Sequence, residues 1–530
     1  MNTRRNADMR LRWTLGLALT AILVLAYTYR LNFLPPHWEE PRRCVVAFEM
    51  IANENYVVPT VIGELYAKKP PLLNWLIVAL AGFDISRIDV HLIRGISVTA
   101  TFLCAALLTL FADPRARWPW LAPLIYLTFG IVVQYGRSGE IDPLFVLFTT
   151  AALLFFDLGR RRGNPWLQWV PSQAMVAAGF LTKGLSPLFF YPPIVLWWFV
   201  ERRRRQTPPA RGARAAFAVG LFVLFGIVAT WLVPYAASGS FQQLMAVSSS
   251  EVMARAPGCN KIGGAAEHLA TFPFEVVGNL LPWSLLLAAL LTRSTRRTVR
   301  NLWLESSFFR LAAMAVLWSV VVFWLMPGGK GRYAMPAYPF AAAALAMAIE
   351  RVATGSAGRR VVGWWALAVI WAAGIWVAAS PLAHVQPWLP LIIGLFVICL
   401  GGAADLRGWG PSPLVRWLGV LGLLYAVYFA SVYEARGIER RRQAVAATGA
   451  LSAIIAHDAA PDTFAGAQPL VACSPALELD ICFDVMKRLQ RPLVRPPIAR
   501  GYVLQLEDEP APAGGQLLGE ELRIQLWRVP

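Results

Sequence analysis

Long apolar runs separated by short arginine clusters dominate this chain, and that pattern limits its fold more than any other feature. A bilayer core of about 30 Å takes about 20 residues of helix to cross, and stretches of that length recur as far as about residue 432. Of the 530 residues 57% are apolar and 15% charged, whereas soluble domains carry about 25% charged residues. The expected fold class is an all-α polytopic membrane protein. The net charge of +18 has the same origin. Arg160-Arg161-Arg162, Arg202 to Arg205, Arg293-Arg296-Arg297-Arg300 and Arg359-Arg360 sit between apolar runs, where positive charge marks cytoplasmic loops. Charge blocks with no aromatic platform or nucleic-acid-binding motif argue against nucleic acid as a partner.

Charge also sets the number of crossings. Arg4, Arg5, Arg10 and Arg12 precede an apolar run from Trp13 to about Asn32, which places the amino terminus in the cytoplasm. That run is too long for a cleaved signal and lacks a small-residue cleavage site. The apolar stretch Leu72–Phe83 is only about 12 residues, too short to cross. With it left out, further spans begin near residues 93, 118, 143, 167, 186, 214, 273, 308, 334, 361, 387 and 415. The inward loops are then 113–117, 159–166, 201–213, 293–307, 351–360 and 405–414, which hold nearly all the arginine clusters. Counting Leu72–Phe83 as a crossing would turn those clusters outward, so about thirteen spans are expected, with the carboxyl terminus outside. Arg436 and Arg440-Arg441-Arg442 run against this assignment, diluted by Glu434 and Glu439.

Two domains follow: a transmembrane domain, 1–432, with outer loops 33–92 and 236–272, and an outer carboxyl-terminal domain, 433–530. The amphipathic stretch Arg442–His457 and the apolar runs Tyr502–Leu506 and Leu522–Trp527 make the latter a small α/β unit. None of the six cysteines forms a CxxC pair, which removes zinc-ribbon and thioredoxin readings. Cys104 and Cys399 read as packing residues. Cys473 and Cys482 can form a disulfide if the tail lies outside the cytoplasm.

The outer face collects the residues that carry chemistry. Glu39, Glu40 and Arg42 follow the first span, and Asp142 stands five residues after Arg137 at the start of another. A solvated charged loop is the bland reading of the first group. Ionisable residues at membrane depth, however, usually line a polar pathway or site. Lys69, Arg94, Lys183, Lys330 and Arg332 lie on the same side. Each alone could be an interfacial residue that snorkels. Together they form a cationic wall facing acids, suited to a phosphate-bearing lipid, since Lys and Arg bind phosphate oxygens.

These residues fall in an ordered series. Glu39-Glu40-Pro41-Arg42 with Glu49-Met50 resembles the D-E-x-R element and trailing E-M of the aminoarabinose transferases and related protein O-mannosyltransferase-like enzymes. Tyr66-Ala67-Lys68-Lys69-Pro70-Pro71-Leu72-Leu73-Asn74-Trp75 resembles their Y-F-E-K-P-P-L-x-Y-W stretch. Arg137 to Asp142-Pro143-Leu144, Leu181-Thr182-Lys183-Gly184, Leu281-Pro282-Trp283-Ser284 and Lys330-Gly331-Arg332-Tyr333 follow in the family's order. The resemblance implies a GT-C glycosyltransferase of thirteen spans. Such an enzyme moves a sugar from undecaprenyl phosphate to a lipid or protein acceptor at the outer face of the bacterial inner membrane, usually with inversion. Glu39 takes the place of the family's loop-one aspartate. Lys68 stands where the family has a glutamate associated with metal binding. Glu251-x-x-x-Arg255 resembles E-H-x-x-R with Val252 in place of the histidine. These two departures argue against an inherited metal site, for which Glu64 is a candidate substitute ligand, and no cofactor is assigned with certainty. His268 reads as a solvated or hydrogen-bonded residue rather than a ligand.

On this reading Glu39, Glu40 and Asp142 are the catalytic acids, positioning the acceptor or taking its proton. A phosphate acceptor arrives already ionised, and for it their role shrinks to orientation. Lys69, Lys183, Lys330, Arg332, Arg137 and Arg42 would hold the donor phosphate as charge develops on it. Tyr66, Trp75, Arg94, Glu251, Arg255 and Tyr333 would line the substrates. The partners are a polyprenyl-phosphate sugar, a lipid or glycolipid acceptor such as lipid A, and the membrane. A transporter or flippase of lipid-linked sugars is the rival, and it would call for related halves and midplane charges. The sequence shows no internal repeat and no midplane charge beyond Lys183. A scaffold without activity is a third reading, prompted by the glutamate at position 39.

Overall fold

The computed structural model describes residues 36–111, 118–204, 210–253, 262–326, 328–352, 438–458 and 469–529, with scattered positions between 20 and 31. The spans expected near 361, 387 and 415, Arg255, and the arginines at positions 4–12, 359–360 and 436 lie outside the described residues. Four described helices are long and apolar enough to cross a membrane: Val90–Leu110, Asp142–Arg161, Ala213–Ala237 and Ser307–Trp324.

Their ends carry local signals. Asp89 accepts from its neighbour Val90 N–H at 2.6 Å at the start of one helix. Asp142 and Pro143 open another, an acid in the first turn favoured by the helix dipole and a proline that gives up no needed N–H. Asn164 caps Pro165–Lys183 by accepting from Leu167 N–H at 3.1 Å. The Leu72–Ala81 helix stops at Gly82, whose φ of 67° is left-handed. At about 1.5 Å per residue this helix is about half as long as the bilayer core is thick.

Several expected elements take another form. The region near 118 is two short helices, Leu121–Leu127 and Gly130–Gly136. The outer loop expected at 236–272 is largely helical, with Phe241–Met253 and the start of Ile262–Asn279. Loop 33–92 is also structured. It holds the Glu40–Ala52 helix, the hairpin β1 (Thr60–Val61) and β2 (Glu64–Leu65), and the Leu72–Ala81 helix. Buried Glu49 ties that hairpin down by accepting from Gly63 N–H at 3.1 Å and from the Thr60 hydroxyl.

Charge separates the two ends of the bundle. Arg160 and Arg161 pair with buried Asp157, Arg310 with Glu201 at 3.1 Å, and Arg351 with Glu305. At the opposite end lie Glu39, Glu40, Asp142, Lys183 and Arg332. The tail folds against that second end. Its strands β3 (Leu470–Cys473), β4 (Gly501–Leu506), β5 (Gln516–Glu521) and β6 (Ile524–Val529) form one sheet in the order β3-β4-β6-β5, with β3 and β4 parallel and the other pairs antiparallel. The Ile438–Asp458 and Leu479–Leu489 helices pack with it. A Cys473–Cys482 disulfide joins β3 to the second of these helices. Phe483, Val485 and Met486 share one apolar core with Val45, Phe48 and Ile77, and Lys487 pairs with Asp89 at 2.9 Å.

Candidate active site

The site is built where the Glu40–Ala52 helix begins. Glu40 is fully buried and its carboxylate is saturated. Arg94 donates through Nε at 2.9 Å and Nη2 at 2.7 Å, His37 N–H at 3.0 Å and Gly139 N–H at 2.6 Å. Burial alone would raise its pKa, but the bonds from Arg94 and His37 hold it at about 2. Arg94 also donates to the Leu31 carbonyl at 2.7 Å. This clamp fastens the loop-one helix and the 137–142 turn to the Val90–Leu110 helix. A side chain at position 139 would put its Cβ 2.5 Å from Ile93, so glycine is what lets the turn approach. Glu40 and Arg94, placed by sequence among the catalytic and the substrate-lining residues respectively, pair with each other in the structure.

Glu39, one residue earlier, is half-exposed and pairs with Arg42, with Arg43 Nη2 at 3.9 Å. Burial pushes its pKa up, but Arg43 and Arg42 outweigh that and hold it below the usual carboxylate range. Arg43 is buried and donates to the Tyr66 hydroxyl at 3.1 Å, while its carbonyl accepts from Asn74 at 3.1 Å. Trp75 donates to the Tyr56 carbonyl at 2.7 Å. Tyr66 and Trp75 therefore brace loop one, a role the substrate-lining expectation did not include.

Asp142 and Lys183, 41 positions apart, form an ion pair between the starts and ends of adjacent helices. The Lys183 ammonium lies 5.3 Å from the Phe145 ring centre and 5.5 Å from that of Tyr333. Arg332 sits over Tyr135 at 5.8 Å and Tyr333 at 5.6 Å, and Tyr135 stacks on Trp38 at 5.6 Å. Lys69 is half-buried just before the Leu72–Ala81 helix, Arg137 is buried at the end of Gly130–Gly136, and Lys330 is exposed where the Gly331–Ala337 turn opens. The structure thus brings Glu39, Arg42, Asp142, Lys183 and Arg332 to one end of the bundle, with the Arg332 charge acting on both Glu39 and Asp142. Glu251 lies on the Phe241–Met253 helix with its side chain outside the described residues. Among the described residues no three His, Cys, Asp or Glu side chains meet as a metal-holding group. His268 bonds the Phe323 carbonyl at 3.0 Å.

Sequence reasoning missed two acids. Glu140 is buried at 2% exposure and accepts one hydrogen bond among the described residues, from Glu39 N–H at 3.4 Å. Burial and the charge of Asp142 push its pKa up to about 7, against the pull of Arg43 and Arg332. Its signal was a charged residue two positions before Asp142, beside a span. Glu275 accepts from Gly331 N–H at 2.8 Å and so orients the turn that carries Lys330 and Arg332. Nothing local marks Glu275, because its partner is 56 positions away.

The same arrangement of helices exists in solved structures. ArnT from Cupriavidus metallidurans bound to undecaprenyl phosphate superposes with a TM-score of 0.69 at 15% identity, covering 96% of this chain and 97% of that one. The apo structure of the same protein gives 0.64 over the same shares. This is the GT-C fold of ArnT. The resemblance read from the sequence is borne out by two further comparisons. A family model described as dolichyl-phosphate-mannose-protein mannosyltransferase matches residues 68–233, which include Arg94, Glu140, Asp142 and Lys183. The undecaprenyl phosphate-alpha-4-amino-4-deoxy-L-arabinose arabinosyl transferase of Pseudomonas savastanoi pv. phaseolicola is 30% identical over 188 residues, 33% of this chain and 34% of that protein. A second such transferase, from Pseudomonas fluorescens, is 30% identical over 182 residues, 33% of this chain and 30% of that protein. The matches span about a third of the length of these curated relatives.

Proposed function

We propose that this chain is a glycosyltransferase that moves a sugar from a polyprenyl-phosphate carrier to a lipid, glycolipid or protein acceptor, lipid A among them, on the periplasmic side of the bacterial inner membrane. The observation that carries the reading is the edge where Arg42, Arg43, Lys183 and Arg332 meet Glu39 and Asp142 at one end of an apolar bundle. A carrier with one phosphate and a long prenyl chain needs that combination: cations for the head, apolar helices for the tail. ArnT, which shares the fold, has been crystallised with undecaprenyl phosphate.

In this reading the transmembrane domain is 1–432, with about thirteen spans, and 433–530 is an outer domain. The tail packs on loop one, which supports a shared side for the two, and the Cys473–Cys482 bridge suits an oxidising compartment. The acceptor oxygen attacks the anomeric carbon as the bond to the carrier phosphate breaks. A single displacement inverts that carbon, and the polyprenyl phosphate leaves with the electron pair. Lys183 and Arg332 stabilise the charge that grows on the leaving oxygen, where preorganised cations act most strongly. Lys69, Lys330 and Arg137 complete the phosphate side, while Glu39 orients the acceptor.

Mass spectrometry of lipids and envelope proteins from cells with and without the protein tests the reading. A product heavier by one sugar, present only with the protein, is expected. Identical profiles in a host that makes polyprenyl-phosphate sugars would contradict it.

A further inference from the structure

We propose that Glu140 is the group that takes the acceptor's proton, and that the acceptor nucleophile is accordingly a neutral hydroxyl rather than an ionised phosphate. The inference rests on the glycosyl-transfer reading above.

Among the described residues Glu140 is the acid at this edge that no cation pairs with, while Glu39, Glu40 and Asp142 each form an ion pair. An ionised carboxylate offers about four acceptor positions, and buried polar atoms are normally satisfied. Its carboxylate nevertheless accepts a single long bond, from Glu39 N–H at 3.4 Å, among the described residues. The other acids are engaged. Glu40 holds four donors from Arg94, His37 and Gly139, Asp142 is paired with Lys183, and Glu39 with Arg42. Use of any of them as a base would mean sharing or displacing a cation. The backbone around Glu140 is fixed, since Ser97 Oγ donates to its carbonyl at 3.2 Å and Gly139 N–H is held by Glu40.

Its surroundings suit proton transfer near neutrality. The groups facing it are Glu39 and Arg43 at the start of the loop-one helix, Asp142 on the next helix, and Arg332 from the Gly331–Ala337 turn with Tyr135 beside it. Burial and Asp142 disfavour its charge, Arg43 and Arg332 favour it, and the balance lies at about 7. A base whose pKa is close to the working pH is the effective one. A phosphate acceptor would have no proton to give, which would leave Glu140 without a part as base. A hydroxyl has the opposite needs. As its oxygen bonds to the anomeric carbon and the carbon–phosphate-oxygen bond breaks, its proton passes to Glu140 and the carrier phosphate departs with the bonding pair.

The test uses membranes holding the full chain, given radiolabelled undecaprenyl-phosphate sugars, with aminoarabinose and a hexose as the two probes. Label in the product should survive mild acid, which cleaves a sugar on phosphate but leaves a glycoside on a hydroxyl. Wild-type rate should rise with pH on an acid limb near pH 7. Glu140→Gln should lower the rate roughly 10²- to 10⁴-fold and abolish that limb, while retention of labelled undecaprenyl phosphate stays within about twofold of wild type. Glu140→Asp should keep measurable transfer and a shifted limb, which no purely structural role would give. Acid-labile product, or an unchanged limb in Glu140→Gln, would overturn the inference and leave the glycosyl-transfer reading standing. Absence of wild-type transfer from both donors would overturn both.

Discussion

Two buried glutamates meet at Gly139, and they are treated in opposite ways. Glu40 accepts from Gly139 N–H and three further donors and is held at about 2. Glu140, the next residue along from Gly139, accepts one long bond and is pushed to about 7. A saturated, low-pKa carboxylate bonded to a buried arginine is a fastener. An undersatisfied carboxylate beside another acid is a strained group, and strain at a charged site is how enzymes keep a base ready. The two environments separate what holds the site from what acts in it.

Breaking the fastener should have the largest effect. Glu40→Ala leaves Arg94 buried without its charge partner, a loss of about 3–5 kcal/mol. We expect most of the protein to be lost as aggregate on extraction, measured as the monodisperse fraction in detergent. Retention of wild-type stability would erase the distinction between the two glutamates.

The next effect should be a gain. Between about pH 4.5 and 7 the folded chain keeps a proton on Glu140 that the unfolded chain has released, so stability from this group is intact at low pH and falls as pH rises through 7. The span of the shift corresponds to roughly 3 kcal/mol. Glu140→Gln should therefore unfold at a higher temperature than wild type at pH 8 and at the same temperature at pH 4. Equal melting at both pH values would remove the strain.

Smaller again are the pairs at the cationic edge. Lys183→Met should lower transfer by about ten- to hundredfold, the worth of a charge-assisted contact of roughly 1.5–3 kcal/mol, and should also lower the melting temperature, since it takes the cation from buried Asp142. Asp142→Asn and Glu39→Gln should act in the same direction, and Glu39→Asp should retain transfer. Steady-state assays with a prenyl-linked donor separate these outcomes. Least affected should be Lys487→Met, which removes a half-exposed pair with Asp89 worth about 0–1 kcal/mol; a thermal melt should barely shift.

How much of this was readable beforehand depended on distance along the chain. Apolar length and arginine placement identified the helices that begin near 93, 143, 214 and 308, because crossing a bilayer is a local demand on about 20 successive residues. The motif series led to Glu39, Asp142, Lys183 and Arg332 and to the ArnT resemblance. Pairing was not readable. Glu40 and Arg94 are 54 positions apart, so nothing near either residue distinguishes a clamp from a catalytic acid. Glu140 was passed over since its character comes from Arg43, Asp142 and Arg332 rather than from its neighbours in R-S-G-E-I-D. The 236–272 segment read as a loop because polar residues such as Gln242, Gln243, Glu251 and Glu267 interrupt its apolar pattern, yet it is largely helical.

The central claim is that the cationic edge accepts its sugar from a prenyl phosphate. Purified protein assayed side by side with an undecaprenyl-phosphate sugar and the matching nucleotide sugar tests it most directly. Transfer from the prenyl-linked donor alone, weakened by Lys183→Met and by Lys69→Met, is the result this account predicts. Transfer from the nucleotide sugar with no prenyl carrier present would contradict it.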